Sequence, residues 1–336
     1  MTVVGPFGLS VRDQALEAGV QAGLAAVESG LLDATKSEVP FITEAAQHLV
    51  HAGGKRFRPL LAMLAAQFGD ADAPGVVPAA VVVELTHLAT LYHDDVMDEA
   101  DVRRGVASAN SRWGNSVAVL TGDFLFARAS HMLADLGPEA VRIQAEAFER
   151  LVTGQILETA GPRDGRDPVD HYLEVMRGKT GSLVAVACRF GAMMAGADDA
   201  ATDTLTQYGE RLGVAFQLAD DVLDIASDSH ESGKTPGTDL LEGIPTLPVL
   251  HLRAQAEAGG KPDDLELVAL LDGDLTEGGR LAEALRRLRA HPALEQARRD
   301  TVRYAEEARA TLAPLPGCYA KSALEEMCDA VVHRAG

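Results

Sequence analysis

The sequence predicts an all-α protein, a single-domain bundle of long helices around a shared core. Three observations carry that reading. Runs rich in alanine, leucine and valine recur along most of the chain, bracketed by helix start and stop signals. No stretch alternates apolar and polar residues for long enough to read as a strand. Hydrophobic residues make up 47% of the 336, enough for a large core, while aromatics are only 4%, a palette that packs helices closely.

The elements follow in order. Residues 77–98, VPAAVVVELTHLATLYHDDVMD, begin near a proline and run without glycine into a cluster of aspartates. Residues 116–137 end at Leu-Gly with a proline next, a helix stop. Residues 138–161 start with Pro-Glu, a good first turn, and end at glycine. Residues 167–196 continue the pattern with an interruption at GKTG, and 198–228 form a further long helix. The stretches 51–59, 103–116, 162–168, 227–246 and 257–264 read as loops from their Gly, Pro, Ser and Asp content. None is long or simple enough to be a domain linker, so one domain over 1–336 is expected.

Composition also excludes some functions. Fifty acidic against 30 basic residues give a net charge of −20, which argues against nucleic acid as a partner. Any anionic substrate must be held by a local group of cations or metal ions. Cys188, Cys318 and Cys328 share no CxxC spacing, which suits a reduced, cytoplasmic compartment. The first residues lack the features of a signal peptide, and no run reaches the roughly 18 uncharged apolar residues of a membrane span, so no integral membrane segment is expected.

The chemistry is concentrated in two echoes, DDVMD at 94–98 and DDVLD at 220–224. On a helix, Asp94 and Asp98 project from one face, and Asp220 and Asp224 repeat the arrangement. Asp95 and Asp221 sit about 100° round, at the edge of each patch. Like charges one turn apart repel, and a hard cation such as Mg2+, which shares itself between carboxylates and phosphates, offsets that cost. Each could instead be a solvated acidic face, but two copies, each directly after an apolar run, make decoration a poor explanation. Cations gather in glycine-rich loops: Lys55, Arg56 and Arg58 in GGKRFRP, Arg103 and Arg104 after the first motif, Lys179 in GKTG and Lys234 in SGKTPGTD. Arginine grips phosphate bidentately, lysine as a point charge, and neighbouring glycines let backbone N–H groups approach. GKTG is not a nucleotide P-loop, since Leu173 stands where the upstream glycine belongs. His87 and His93, on the first acidic helix, are open to structural or catalytic use.

Taken together, GGKRFRP, HDDVMDEADVRRG, GKTGSL, FQLADDVLD and GKTPGTDL, in this order, resemble the trans-polyprenyl diphosphate synthase family, the head-to-tail prenyltransferases. The resemblance covers about residues 45–250, with a helical remainder over 251–336. It implies a prenyl synthase fold with a central cavity, a homodimer, and several Mg2+ ions, three on the family's pattern. Isopentenyl diphosphate and an allylic diphosphate are the implied substrates. By position, Asp94, Asp98 and Asp220 would be the principal metal ligands, supported by Asp95, Asp221 and Asp224. Lys55, Arg58, His87 and Arg104 would hold isopentenyl diphosphate. Arg103, Lys179, Gln217 and Lys234 would hold the allylic diphosphate, with Thr180 and Gln217 also near the developing cation. Arg103, Lys179 and Lys234 join Asp94, Asp98 and Asp220 as the catalytic set. GKTPGTDL offers only Lys234, whereas some short-chain members carry a further lysine there.

In that family the residues four and five before the first aspartate help to set product length. Here they are Thr90 and Ala89, both small, and the resemblance is greatest to the long-chain members, which implies a product longer than C20. The alternatives are a geranylgeranyl or farnesyl diphosphate synthase, a terpene cyclase and an inactive partner subunit. Cyclases lack GGKRFRP and a second DDxxD, and inactive subunits lose aspartates; neither departure occurs in this sequence.

Overall fold

The computed structural model describes residues 2–4, 9–11, 13–227 and 236–335. Its helices run in order α1 (Gln14–Ala34), α2 (Pro40–His51), α3 (Phe57–Ala66), α4 (Val76–Met97), α5 (Ala109–Trp113), α6 (Asn115–Leu136), α7 (Pro138–Ala160) and α8 (Pro168–Met176). A single π-helical turn, Arg177–Gly181, then leads into α9 (Ser182–Met194). After it come α10 (Asp199–Ala226), α11 (Thr238–Leu241), α12 (Leu247–Glu257), α13 (Pro262–Leu271), α14 (Arg280–Arg289), α15 (Pro292–Thr311) and α16 (Tyr319–Ala335). The all-α expectation holds, and α4, α6, α7 and α10 start and stop within one or two residues of the expected bounds.

Three expected loops carry more structure than their composition suggests. Helix α3 begins inside 51–59, α5 lies inside 103–116, and α11 lies inside 227–246. Two small antiparallel hairpins also occur, β1 (Thr2–Val4) with β2 (Leu9–Val11) and β3 (Val102–Arg103) with β4 (Val106–Ala107). Strands of two or three residues are too short for an alternating pattern to register.

The chain divides into two compact units. One comprises residues through Arg150, Ser182–Glu210 and Arg309–Met327; the other comprises Leu151–Gly181, Arg211–Ala308 and Cys328 onward. In the first, α1, α3, α6 and α9 pack around α4, whose residues Ala79 to Leu85 are all buried. A helix apolar all round belongs in a core, and each fully buried leucine such as Leu85 or Leu88 contributes about 1.5–3 kcal/mol. By length and composition α4 could cross a membrane, but most of it is buried inside the protein. It is the core helix of its unit. In the second unit, α10 buries Leu212, Ala215, Leu218, Ala219, Val222 and Ile225, a stripe at helical spacing.

The acidic motifs occupy equivalent places. Asp94, Asp95 and Asp98 close α4, and Asp220, Asp221 and Asp224 lie in the last turns of α10. A helix C-terminus carries partial negative charge, so carboxylates there are doubly disfavoured without a cation.

Candidate active site

In the first unit, the GGKRFRP loop enters α3 through Arg56, held at φ 46, in the left-handed region that non-glycine residues seldom adopt. Its guanidinium is 9% exposed and donates to Glu28, to Glu84 Oε1 at 3.0 Å and to the Val50 carbonyl at 3.2 Å. Arg56 is therefore a brace between α3, α1 and α4. Lys55 is exposed beside it, and Arg58 turns inward with a buried Nε that has no hydrogen-bond partner. Burial pushes the Arg58 guanidinium down to about 10, with Glu84 opposing and Arg104 adding to the shift.

Arg104 reaches the same loop from the β3–β4 hairpin. Arg104 and Gly105 form its two-residue turn with φ 53 and 78, the positive pair that a type I′ turn requires. Glycine suits that geometry, whereas arginine is strained there, as residues at functional sites often are. The Arg104 guanidinium donates to the Leu49 carbonyl at 3.0 Å and to the Gly53 carbonyl, and approaches Glu84 at 4.0 Å. Burial and the neighbouring Arg56 and Arg103 depress its proton affinity, against the pull of Glu84. His87, one turn along α4 from Glu84, is held well below its ordinary value by burial first and then by Arg58 and Arg104. Three guanidiniums thus share two carboxylates, Glu28 and Glu84, beside a neutral imidazole. The surplus positive charge is a ready site for a polyanion.

The His87 shift sets a pH dependence. Its folded pKa lies below 6.5, so below that pH the unfolded chain binds the proton first, and stability falls as pH drops. His87→Gln is expected to flatten the fall below pH 6.5, by up to about 1.4 kcal/mol per pH unit, in chemical denaturation at pH 5, 6 and 7. Parallel curves for the two proteins would refute the shift.

Arg103, the other arginine of the pair, turns to the aspartates. Its Nε donates to Asp95 Oδ1 at 2.5 Å, and Nη2 lies 3.6 Å from Asp98 Oδ2. Asp95 is fully buried, and its second oxygen has no hydrogen-bond partner. Asp94 is half-buried and Asp98 exposed. Among the described residues no three acidic, histidine or cysteine side chains already converge as a metal cage. A Mg2+ ion bound through one or two carboxylates plus substrate phosphates needs no such cage. An unpartnered buried carboxylate oxygen within an all-oxygen donor set fits such an ion.

In the second unit, the π-turn presents Lys179 and Thr180, and π-turns recur at functional sites. Lys179 pairs with Glu158 of α7. Thr180 Oγ1 donates to Gln217 Oε1 at 3.2 Å, and Gln217 Nε2 donates to Asp221 Oδ1 at 3.0 Å. The Tyr172 hydroxyl donates to the other Asp221 oxygen. Burial raises Asp221 to about 7, against those two hydrogen bonds and with Asp220 and Asp224 adding to it. Asp224 accepts the N–H groups of Thr238 and Asp239 at 3.3 Å and so caps α11. Asp220 meets Arg334 of α16, Nη2 to Oδ1 at 2.6 Å. Lys234 lies outside the described residues.

Gly154 of α7 makes the π-turn possible, since a Cβ there would lie 2.9 Å from the Lys179 backbone nitrogen and 3.1 Å from the Val175 carbonyl. Gly154→Ala must displace the turn. We expect KM for the allylic substrate to rise roughly 10- to 100-fold with the fold intact by circular dichroism. Gly19→Ala, where nothing lies within 4 Å, serves as the neutral control. Equal kinetics for the two variants would contradict the role given to the turn.

A cavity of about 390 Å³ lies in the first unit along α4, α6 and α7. Its α4 residues are His93, beside Asp94, and Thr86, about 10 Å back along the axis. Phe126, Leu133, Val141 and Phe148 make its wall mostly apolar. Ala89 and Thr90 stand between His93 and Thr86 on α4 but outside the lining; Ala89 is fully buried where α6 comes close at Gly122. His93 Nε2 donates to the Val119 carbonyl at 3.1 Å, a structural bond.

A model of the polyprenyl synthetase family matches residues 39–284. A nonaprenyl diphosphate synthase of Mycobacterium tuberculosis is 48% identical over 330 residues, covering 98% of this chain and 97% of that one. The chain belongs to the polyprenyl synthetase family. Among solved structures, a polyprenyl synthase from Caulobacter crescentus, complexed with calcium and isoprenyl diphosphate, is similar with TM-score 0.88 and 35% identity over the whole of both chains. A geranylgeranyl pyrophosphate synthase from Corynebacterium glutamicum, also with calcium and isoprenyl diphosphate, gives 0.86 and 43% over 98% of this chain and all of that one.

The structure brings Arg58, His87 and Arg104 together beside Glu84, with Lys55 exposed next to them, and joins Thr180, Gln217 and Asp221 in one hydrogen-bonded chain. Glu84, Glu158, Tyr172 and Arg334 join these contacts and lie in none of the motifs. Glu84 had a visible signal, as the only acidic residue in the apolar run from 76 to 93. Arg334 had none, since it meets Asp220 across 114 residues.

Proposed function

We propose that the chain is a Mg2+-dependent prenyltransferase. It condenses isopentenyl diphosphate head-to-tail with an allylic diphosphate and releases diphosphate, and its product is longer than C20. The observation that carries this reading is the pair of aspartate motifs, each ending a long helix and each accompanied by cations at the same end of that helix. Asp94, Asp98 and Asp220 are the principal ligands assigned to the metal, with Asp95, Asp221 and Asp224 behind them. When bound, the metal neutralises the leaving diphosphate and lowers the barrier to breaking the allylic C–O bond.

The residues of the chain divide the remaining work. Lys55, Arg58, His87 and Arg104 hold the diphosphate of isopentenyl diphosphate, and the surplus charge of that cluster supports the assignment. Arg103, Lys179, Gln217 and Lys234 grip the allylic diphosphate. Thr180 and Gln217 turn dipoles towards the carbocation that forms when the C–O bond breaks. The double bond of isopentenyl diphosphate attacks that cation, and the proton then lost passes to the departed diphosphate. No protein nucleophile is needed. The apolar wall beside α4 excludes water that would quench the cation.

The long product is supported by the similarity to the nonaprenyl synthase and by the cavity running back from His93. A C20 product is the second reading, favoured by the 43% identity to the Corynebacterium geranylgeranyl synthase. Ala89→Phe places an aromatic ring where α4 and α6 approach, and its bulk has the neighbouring cavity to enter. The expected result is a shorter product, read by chromatography of the dephosphorylated alcohols. An unchanged distribution would separate Ala89 from length control.

The assembly we propose is a cytoplasmic homodimer whose subunits each act as one domain over 1–336; the family match, which runs through both units, supports the single domain. Val119 and Leu120 of α6 and Val141 of α7 are exposed apolar residues of the kind a partner copy covers. Three free cysteines suit a reducing compartment. Light scattering on the purified protein reads the dimer directly.

A further inference from the structure

The three carboxylates of the second motif are committed differently. Asp221 is occupied by Tyr172 and Gln217, and Asp224 accepts N–H groups at the start of α11. Asp220, 34% exposed, is held by a cation, Arg334 Nη2 at 2.6 Å. Arg334 comes from the last turn of α16, where a positive charge is favoured by the helix dipole. Its guanidinium lies over the Phe216 ring, 4.7 Å from the centroid, on the helix that carries Asp220. Its Nη1 is buried with no hydrogen-bond partner. The contact therefore uses one half of a bidentate donor and leaves the other half unsatisfied beside a carboxylate assigned to a metal.

We propose that Arg334 is an exchangeable counter-ion for Asp220. A divalent cation displaces it from the carboxylate, and the freed guanidinium, steadied on Phe216, becomes a ligand for a substrate diphosphate. The chemistry favours exchange over a permanent brace. Arginine and a divalent cation compete for the same oxygen, and a guanidinium with a spare N–H edge matches phosphate oxygens better than a single carboxylate oxygen. Metal binding and the appearance of one anion-binding group would then be coupled at one residue. This inference rests on the reading of Asp220 as a metal ligand.

The test is direct binding of Mn2+ to the full chain without substrate, followed by electron paramagnetic resonance, in the native protein, Arg334→Gln, Arg334→Lys and Asp220→Asn. Removing the competitor in Arg334→Gln is expected to tighten Mn2+ binding about 2- to 5-fold, the range of a partly exposed ion pair. KM for a diphosphate substrate is expected to rise in the same variant, with Arg334→Lys between it and the native protein in both measurements. Unchanged or weaker Mn2+ binding in Arg334→Gln, with thermal melting showing a folded protein, would overturn the exchange. Tighter Mn2+ binding with an unchanged KM for both substrates would overturn the diphosphate role. Unaltered Mn2+ binding in Asp220→Asn would instead count against the metal assignment itself.

Discussion

Asp94→Ala is expected to slow prenyl transfer by roughly 10³-fold or more while leaving the folded protein as stable as before. Both halves of that result follow from where the residue sits. The last turn of α4 gathers Asp94, Asp95 and Asp98 at the negative end of a helix dipole. Removing one charge there relieves repulsion from Asp95 and Asp98 and gives up an attraction to Arg103, so the stability is expected to change by no more than about 0.5 kcal/mol in either direction. Steady-state rates and denaturant midpoints measured on the same preparation check it. Retention of more than a tenth of the native rate would remove Asp94 from the catalytic set.

Glu84→Ala is expected to cost the fold about 3–5 kcal/mol, the range for breaking a buried ion pair by removing one partner. Glu84 is 2% exposed, 3.0 Å from Arg56, and the nearest carboxylate to Arg104 at 4.0 Å. Without it, the buried Arg56 and the half-buried Arg58 and Arg104 are left with Glu28 as the neighbouring carboxylate. Because the cluster becomes more positive, inorganic diphosphate should stabilise the variant more than it stabilises the native protein. Denaturant titrations with and without diphosphate read both effects. A loss below about 1 kcal/mol would mean that the cations are solvated rather than held by Glu84.

The parts of the structure that were legible in the sequence are those with a short-range cause. The apolar runs and stop signals placed α4, α6, α7 and α10, because periodicity and capping act within a few residues. The two aspartate motifs were legible for the same reason: four-residue spacing on a helix is a local fact. The hairpin at Val102–Ala107 was not, because its strands are two residues long and its turn puts arginine where glycine or asparagine is usual. The interruption at GKTG was visible, but its form, a π-turn seated on Gly154, depends on a helix some 25 residues earlier. Arg103 shows the same limit from the other side. The resemblance implies a phosphate ligand, and the motif does not report the contact that Arg103 also makes with Asp95. Glu158 and Arg334 enter through contacts between distant segments, which no window along the chain reports.

The measurement closest to the central claim is incubation of the purified protein with labelled isopentenyl diphosphate, Mg2+ and, separately, C5, C10, C15 and C20 allylic diphosphates. The expected result is Mg2+-dependent incorporation of label into products longer than C20, with release of diphosphate at each addition. Accumulation of C20 alone would establish the shorter-product reading, and no incorporation with any primer would contradict the assignment of a prenyltransferase.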